Sequence, residues 1–183
     1  MSKIDLLLDN YTKYIGLPWQ GELAPAQRVL FCVYNEQDEL RFQLKIDEFQ
    51  IKTEQLNHNW LAIDVTKSFT TWLSKQKYKL KYFENPKLIE PAIRLFEKAL
   101  QKEIVDKIGQ NSIDENTVVA IHGIGALFGQ IKIKQLVELI APLIPGRLLV
   151  FFPGTYENDN YRLLNAYDGW NYLAVTITPD GNQ

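Results

Sequence analysis

The chain has 183 residues, of which 46% are hydrophobic and 23% charged, with 20 Lys+Arg against 22 Asp+Glu and a net charge of −2. That length suits a single domain, residues 1–183, with a core large enough to need no disulfide or metal staple, and the near-balanced charge gives no general attraction to phosphate polyanions. A lone Cys32 excludes an internal disulfide and a thiolate zinc site, and His58 and His122 belong to no HxxxH or HxH pair, so neither a metal nor a cofactor is expected.

The opening MSKIDLLLDNYTKYIG holds only the short run Leu6-Leu7-Leu8 between Asp5 and Asp9, unlike a secretory signal. No apolar stretch approaches the roughly 20 residues that span a bilayer, and the expected location is the cytoplasm. Residues 3–15 place Ile4, Leu7, Leu8, Tyr11 and Ile15 at helical spacing behind a cap at Ser2, and Gly16, Leu17 and Pro18 end that helix. After a loop with Trp19 and Pro25, residues 29–34 are almost wholly apolar, the pattern of a strand covered on both faces in a parallel sheet.

Asn35 then offers an N-cap oxygen to a helix running to about His58, and residues 60–65 supply a second strand. Thr66 caps a short helix through Trp72 and Leu73. Over residues 75–82 four lysines alternate with Gln76, Tyr78 and Leu80, which reads as a loop or a short exposed edge strand. Asn85-Pro86 opens a long helix carrying Ile89, Ile93, Phe96, Leu100, Ile104 and Ile108 before Gly109.

A third strand, residues 117–121, runs into His122-Gly123-Ile124-Gly125. A helix from about Lys132 follows, stopped by Pro145-Gly146, and residues 147–152 make a fourth strand closed by Pro153-Gly154. Residues 161–164 and 170–177 are strand-like and joined through Asp168-Gly169, as in a hairpin at the sheet edge, with residues 179–183 fraying. The strand, helix, strand rhythm predicts an α/β three-layer sandwich: a mainly parallel central sheet flanked by helices, with an antiparallel C-terminal edge.

Ligands of open parallel sheets bind beyond the carboxyl ends of the strands. That rule selects His122, Gly123, Gly125, Pro153, Gly154 and Tyr156 as candidate ligand-binding residues, with Asn35, Glu36, Asp64 and Thr66 nearby in the same layer. Glycines after a strand let amides approach an anion, and a histidine can move a proton. The pattern lacks both the third glycine of a dinucleotide fingerprint and the GxxxxGK[ST] of a P-loop, so a tight structural turn competes with an anion site.

Cys32 lies mid-strand as a small hydrophobe, and Glu36, Asp38 and Glu39 read as first-turn acids favoured by the helix dipole. No catalytic residue is assigned. The lysines of residues 75–81, interleaved with aromatics, suit either a solvated edge or a single-strand nucleic-acid face. Tyr161, Tyr167, Trp170 and Tyr172 are candidate partner-binding residues, to the extent that their rings reach the surface.

The order strand, HGIGALFG, helix, then LLVFFPGTYENDNYRLLNAYDGWNYLAVTI resembles the C-terminal half of BrxB proteins, small components of BREX bacteriophage-exclusion systems. The likeness is densest over residues 117–177 and most specific at Phe152-Pro153-Gly154-Thr155-Tyr156 and Tyr161-Arg162-Leu163-Leu164. The N-terminal half agrees in layout, with Leu17-Pro18-Trp19 and the strand at 29–34 in corresponding places. His122 and Tyr172-Leu173-Ala174 depart from the family pattern.

The resemblance implies a cytoplasmic, non-enzymatic accessory subunit of an antiphage system. Its expected partner is a PglZ-type protein with an alkaline-phosphatase-like domain, working with a DNA methyltransferase and an ATPase. It carries no catalytic residue across. Two alternatives stay open: a nucleotide- or anion-binding module or enzyme around His122, and a nucleic-acid adaptor using the lysine-rich segment.

Overall fold

The first helix, α1 (Lys3–Ile15), begins at a reciprocal cap: the Ser2 hydroxyl accepts from the Asp5 amide at 3.1 Å, and the Asp5 carboxylate accepts from the Ser2 amide at 2.9 Å. Hydrogen bonding from the Ser2 amide and hydroxyl to the carboxylate, reinforced by Lys45, holds the Asp5 carboxyl down at about 2. The computed structural model describes residues 1–166 and 169–182. Strand β1 (Val29–Tyr34) follows and is buried along its whole length.

Asn35 caps a 3-10 turn at Glu36–Asp38, and the chain continues as α2 (Glu39–Gln43) and α3 (Ile46–Gln55). The single helix expected to reach His58 is thus broken at Leu44 and Lys45. The break lets Phe42 and Phe49, both buried, meet Phe151 from two directions at centroid distances of 4.9 and 5.0 Å. Strand β2 (Asn59–Asp64) leads to α4 (Ser68–Ser74), whose N-cap position is Lys67. Thr66 is no cap, because its amide donates back to the Asp64 carboxylate at 2.8 Å.

The lysine alternation forms no edge strand. Residues 79–84 are helical, as α5 (Lys79–Glu84), and none of its residues is buried. Lysine and leucine suit a helix, and a two-residue period specifies a strand only where a neighbouring strand can be paired. Asn85 caps a 3-10 turn that feeds α6 (Glu90–Gln110), where Ala92, Phe96, Leu100, Ile104 and Ile108 form the buried stripe.

Strand β3 (Thr117–His122), α7 (Ile133–Ile140) and β4 (Arg147–Glu157) complete the central layer. β4 does not close at Pro153-Gly154 and runs on to Glu157. Pro153 sits opposite Tyr34, the last residue of β1, and its carbonyl accepts from the Leu164 amide at 2.9 Å. After a two-residue turn the chain returns as β5 (Asn160–Leu163), antiparallel to β4.

The expected hairpin between residues 161–164 and 170–177 is reduced to one antiparallel bridge, Tyr161 to Trp170. Strand β6 is shorter, Val175–Thr178, and inserts parallel to β1. Residues 179–182 do not fray as expected, because β7 (Gly181–Asn182) pairs antiparallel with β6, and Gln183 lies outside the described residues. The sheet order is β2-β3-β4-β1-β6-β7, with β5 beside β4.

Helices cover both faces of this sheet. One face packs α6 and α7 against Val29, Phe31, Ile63, Val119, Ile121, Leu148 and Val150. The other packs α1, α2 and α3 against Leu30, Cys32, Val118, Ala120, Leu149 and Phe151. The result is the expected α/β architecture: three layers around a mostly parallel sheet, with antiparallel C-terminal strands.

Candidate functional site

At the carboxyl end of the sheet, Asp64 and His122 are register partners on β2 and β3, and His122 Nδ1 lies 3.6 Å from the Asp64 carboxylate. This is charge contact at longer than hydrogen-bond range. Burial lowers the His122 pKa, and the neighbouring Asp64 only partly offsets it. Burial alone would raise Asp64, but the Thr66 side chain and amide and the His122 charge together hold it below the usual value.

The glycines here serve close packing inside the chain. Gly123 is left-handed at φ +82°, and a Cβ there would stand 2.2 Å from the Thr66 hydroxyl oxygen. A Cβ on Gly154 would meet the Arg162 carbonyl oxygen of β5 at 2.0 Å. Gly125 packs beside Pro153 and Leu164. Pro153 and Gly154 are both buried, and the Tyr156 hydroxyl donates to Asp159 at 3.0 Å.

The structure therefore brings His122 and Gly123 together with Asp64 and Thr66, and Gly125 with Pro153. Gly154 and Tyr156 belong to the β4–β5 ribbon. Near them, Glu36 accepts a hydrogen bond from Asn165, and Glu39 accepts one from the Tyr34 hydroxyl. Cys32 is fully buried in β1, where desolvation pushes its thiol well up. Among the described residues, no group of three or more His, Cys, Asp or Glu is placed to hold a metal ion.

The candidate partner-binding aromatics divide by burial. Tyr161 is wholly inside: its ring lies 4.6 Å from Phe31 and 5.1 Å from Trp170, its hydroxyl pairs with buried Thr176, and its pKa is raised to about 12, chiefly by burial. It offers no ring to a partner in the folded chain. Trp170 and Tyr172 are half-buried and pack edge-on to Phe31 at 5.8 and 6.0 Å. Tyr167 lies outside the described residues.

A second polar cluster sits at the opposite, amino end of the sheet, and sequence reasoning passed over it. Arg147 opens β4 and is 5% exposed, with its guanidinium 4.6 Å from the centre of the Trp19 ring. The other close neighbour of that indole is His58, stacked at 4.0 Å and 7°. Trp19 Nε1 donates to the Ile15 carbonyl at 3.0 Å, which fixes the ring. The available signal was a charged residue at the head of an apolar strand, Arg147-Leu148-Leu149-Val150.

No helix among the described residues is long and apolar enough to cross a membrane. The family model described as "BREX protein BrxB" matches residues 60–177, from β2 into β6, which is more than half of the chain. No curated protein and no solved structure matches the chain.

Proposed function

The chain belongs to the BrxB family and so to the components of BREX antiphage systems, and from that premise we propose that it works as a non-enzymatic interaction subunit whose direct partner is the PglZ-type protein of its system. The family match carries the reading. Two structural features support it. The carboxyl-end glycines, where a nucleotide would be sought, are filled by the chain's own Thr66 side chain and Arg162 carbonyl.

The second feature is α5, inside the matched range, with Leu80 and Phe83 exposed at 70% and 71%. Apolar side chains this exposed, set among charged ones, suit a protein contact. Five lysines against one glutamate give residues 75–88 a net charge of +4, while the whole chain carries −2. A partner surface of acidic and apolar character would complement this segment.

Co-expression of a tagged chain with a PglZ-type protein of the same BREX system tests the reading. Retention through affinity and size-exclusion chromatography, lost when Leu80 and Phe83 are both changed to Ser, is the expected result. Separate elution of the two wild-type proteins would overturn it.

A further inference from the structure

Arg147 is a charged side chain largely buried at the base of two surface grooves, and no acid answers it among the described residues. It is 5% exposed, yet among the described residues no carboxylate lies within ion-pair distance of its guanidinium. Of its five N–H donors, one is accounted for among the described residues, by a long 3.3 Å bond from Nη1 to the Gly146 carbonyl. A second cation, Arg28, adds to the imbalance. Arg28 bonds the adjacent Pro145 carbonyl at 2.9 Å, and its own Nε is buried without a partner. Burial lowers the Arg147 pKa, Tyr14 partly offsets it and the Arg28 charge adds to the lowering, but a guanidinium stays protonated throughout the physiological range.

Buried charges in folded proteins are ordinarily paired, because an isolated one has given up hydration for nothing of equal strength. The Trp19 face returns part of that loss by cation–π attraction. Nε and Nη2 have no hydrogen-bond partner among the described residues. Arg147 and Trp19 together line two adjoining grooves of about 470 and 520 Å³.

The walls state which anion fits. In the larger groove Arg147 shares the walls with uncharged side chains, the apolar Leu17, Leu23, Leu173 and Val175 beside the polar Gln20 and Gln27, and Leu17 and Leu173 are exposed at 59% and 85%. In the smaller groove the acidic Glu115 is present, and neither groove is lined by a lysine. One guanidinium beside a resident carboxylate suits a single negative charge better than a phosphate dianion, and its planar fork matches a planar carboxylate in two parallel bonds. Arginine and tryptophan are residue types enriched in protein-binding hot spots, and here the two stand together inside an apolar rim.

We infer that the Arg147–Trp19 floor is a carboxylate-binding site, filled by an Asp or Glu side chain that a partner protein inserts between Leu17 and Leu173. It lies at the opposite end of the sheet from His122 and does not depend on the identity of the partner proposed above. Trp19 holds the guanidinium in plane. The fork binds the acid, and the leucines cover the apolar residues beside it.

The test uses the full chain labelled with 15N and follows the Trp19 indole and Arg147 Nε–H resonances during titration. The probes are the blocked tripeptides acetyl-Leu-Glu-Leu-amide and acetyl-Leu-Gln-Leu-amide, sodium acetate and inorganic phosphate. Saturable shifts of both resonances with the Glu peptide, at least tenfold weaker with the Gln peptide and with acetate, are expected. Phosphate binding more tightly than the Glu peptide overturns the choice of anion, and acetate matching the peptide overturns the protein source. Arg147→Lys, which keeps the charge and loses the fork, is expected to weaken the Glu peptide tenfold or more. Should that variant fail to fold, Trp19→Leu must weaken the peptide response of the Arg147 resonance several-fold, and an unchanged response overturns the site.

Discussion

Gly123 faces Thr66 so closely that a methyl group on its α-carbon would stand 2.2 Å from the threonine hydroxyl oxygen and 2.7 Å from the threonine amide nitrogen. Its left-handed φ of +82° adds a backbone cost for any residue with a Cβ. Gly123→Ala is therefore expected to lower unfolding free energy by about 2–5 kcal/mol, combining about 1–2 for the left-handed conformation with about 1–3 for overpacking. Gly125→Ala meets Pro153 at 3.3 Å, a contact a small shift relieves, and is expected to cost under about 1 kcal/mol. Urea denaturation of both variants decides the matter, and equal losses would show that the turn is not shaped by Thr66.

His122 gives folding a pH dependence whose sign follows from its surroundings. Burial disfavours the imidazolium more than Asp64 favours it, so the folded chain holds this proton less tightly than the unfolded chain. This contribution to stability is complete above the ordinary value of 6.5, is lost as pH falls from there toward the folded pKa, and levels off below that. His122→Asn should flatten the urea-midpoint profile between about pH 8 and about pH 5, and Asp64→Asn should steepen it, since the offsetting charge is gone. A profile for His122→Asn that parallels wild type would remove His122 as the source.

The α1–α3 contact turns on one buried hydroxyl pair. Thr53 donates its hydrogen to the Phe49 carbonyl at 2.7 Å, so in the 2.6 Å bond between Tyr11 and Thr53 the tyrosine is the donor. Both residues are fully buried. Thr53→Val leaves the Tyr11 hydroxyl with no acceptor and is expected to cost about 1–3 kcal/mol. Tyr11→Phe leaves Thr53 bonded to Phe49 and should cost about 0.5–1.5 kcal/mol. The double variant should lose less than the two singles together, and strict additivity in chemical denaturation would contradict the shared bond.

What could be read in advance was local. The Ser2 cap and the apolar run of β1 are encoded within a few residues of themselves, and both appear where expected. Long-range pairing was less legible. Nothing between residues 170 and 178 announces that only Val175–Thr178 will form a strand, or that it will pair parallel to β1 in mid-sheet.

Proline and glycine at 153–154 look like an ending because they usually are one, but here Pro153 falls opposite the last residue of β1 and Gly154 makes room for the β5 backbone. The aromatic surplus of the tail looked available to partners until Phe31 drew Phe152, Tyr161, Trp170 and Tyr172 around itself. Arg147 was invisible as a site for a related reason. The absence of an acid beside it is a property of the assembled fold, which no neighbouring residue in the chain reveals.

The turn between β4 and β5 is the clearest local signal that went unread. Asn158 and Asp159 have φ of +49° and +61° and link the paired residues Glu157 and Asn160, which is the two-residue hairpin with both central residues left-handed. Asparagine and aspartate tolerate that conformation better than other residues with a side chain. Asn158→Ala should therefore destabilise the fold by about 1 kcal/mol, and Asn158→Gly should leave it unchanged or slightly firmer. The two variants touch no core residue, so a difference between them reports the backbone alone. If thermal melts place the alanine and glycine variants together, the turn is not what holds β5 against β4. The register would then rest on the Tyr161–Thr176 hydroxyl pair and on the ring packing around Phe31.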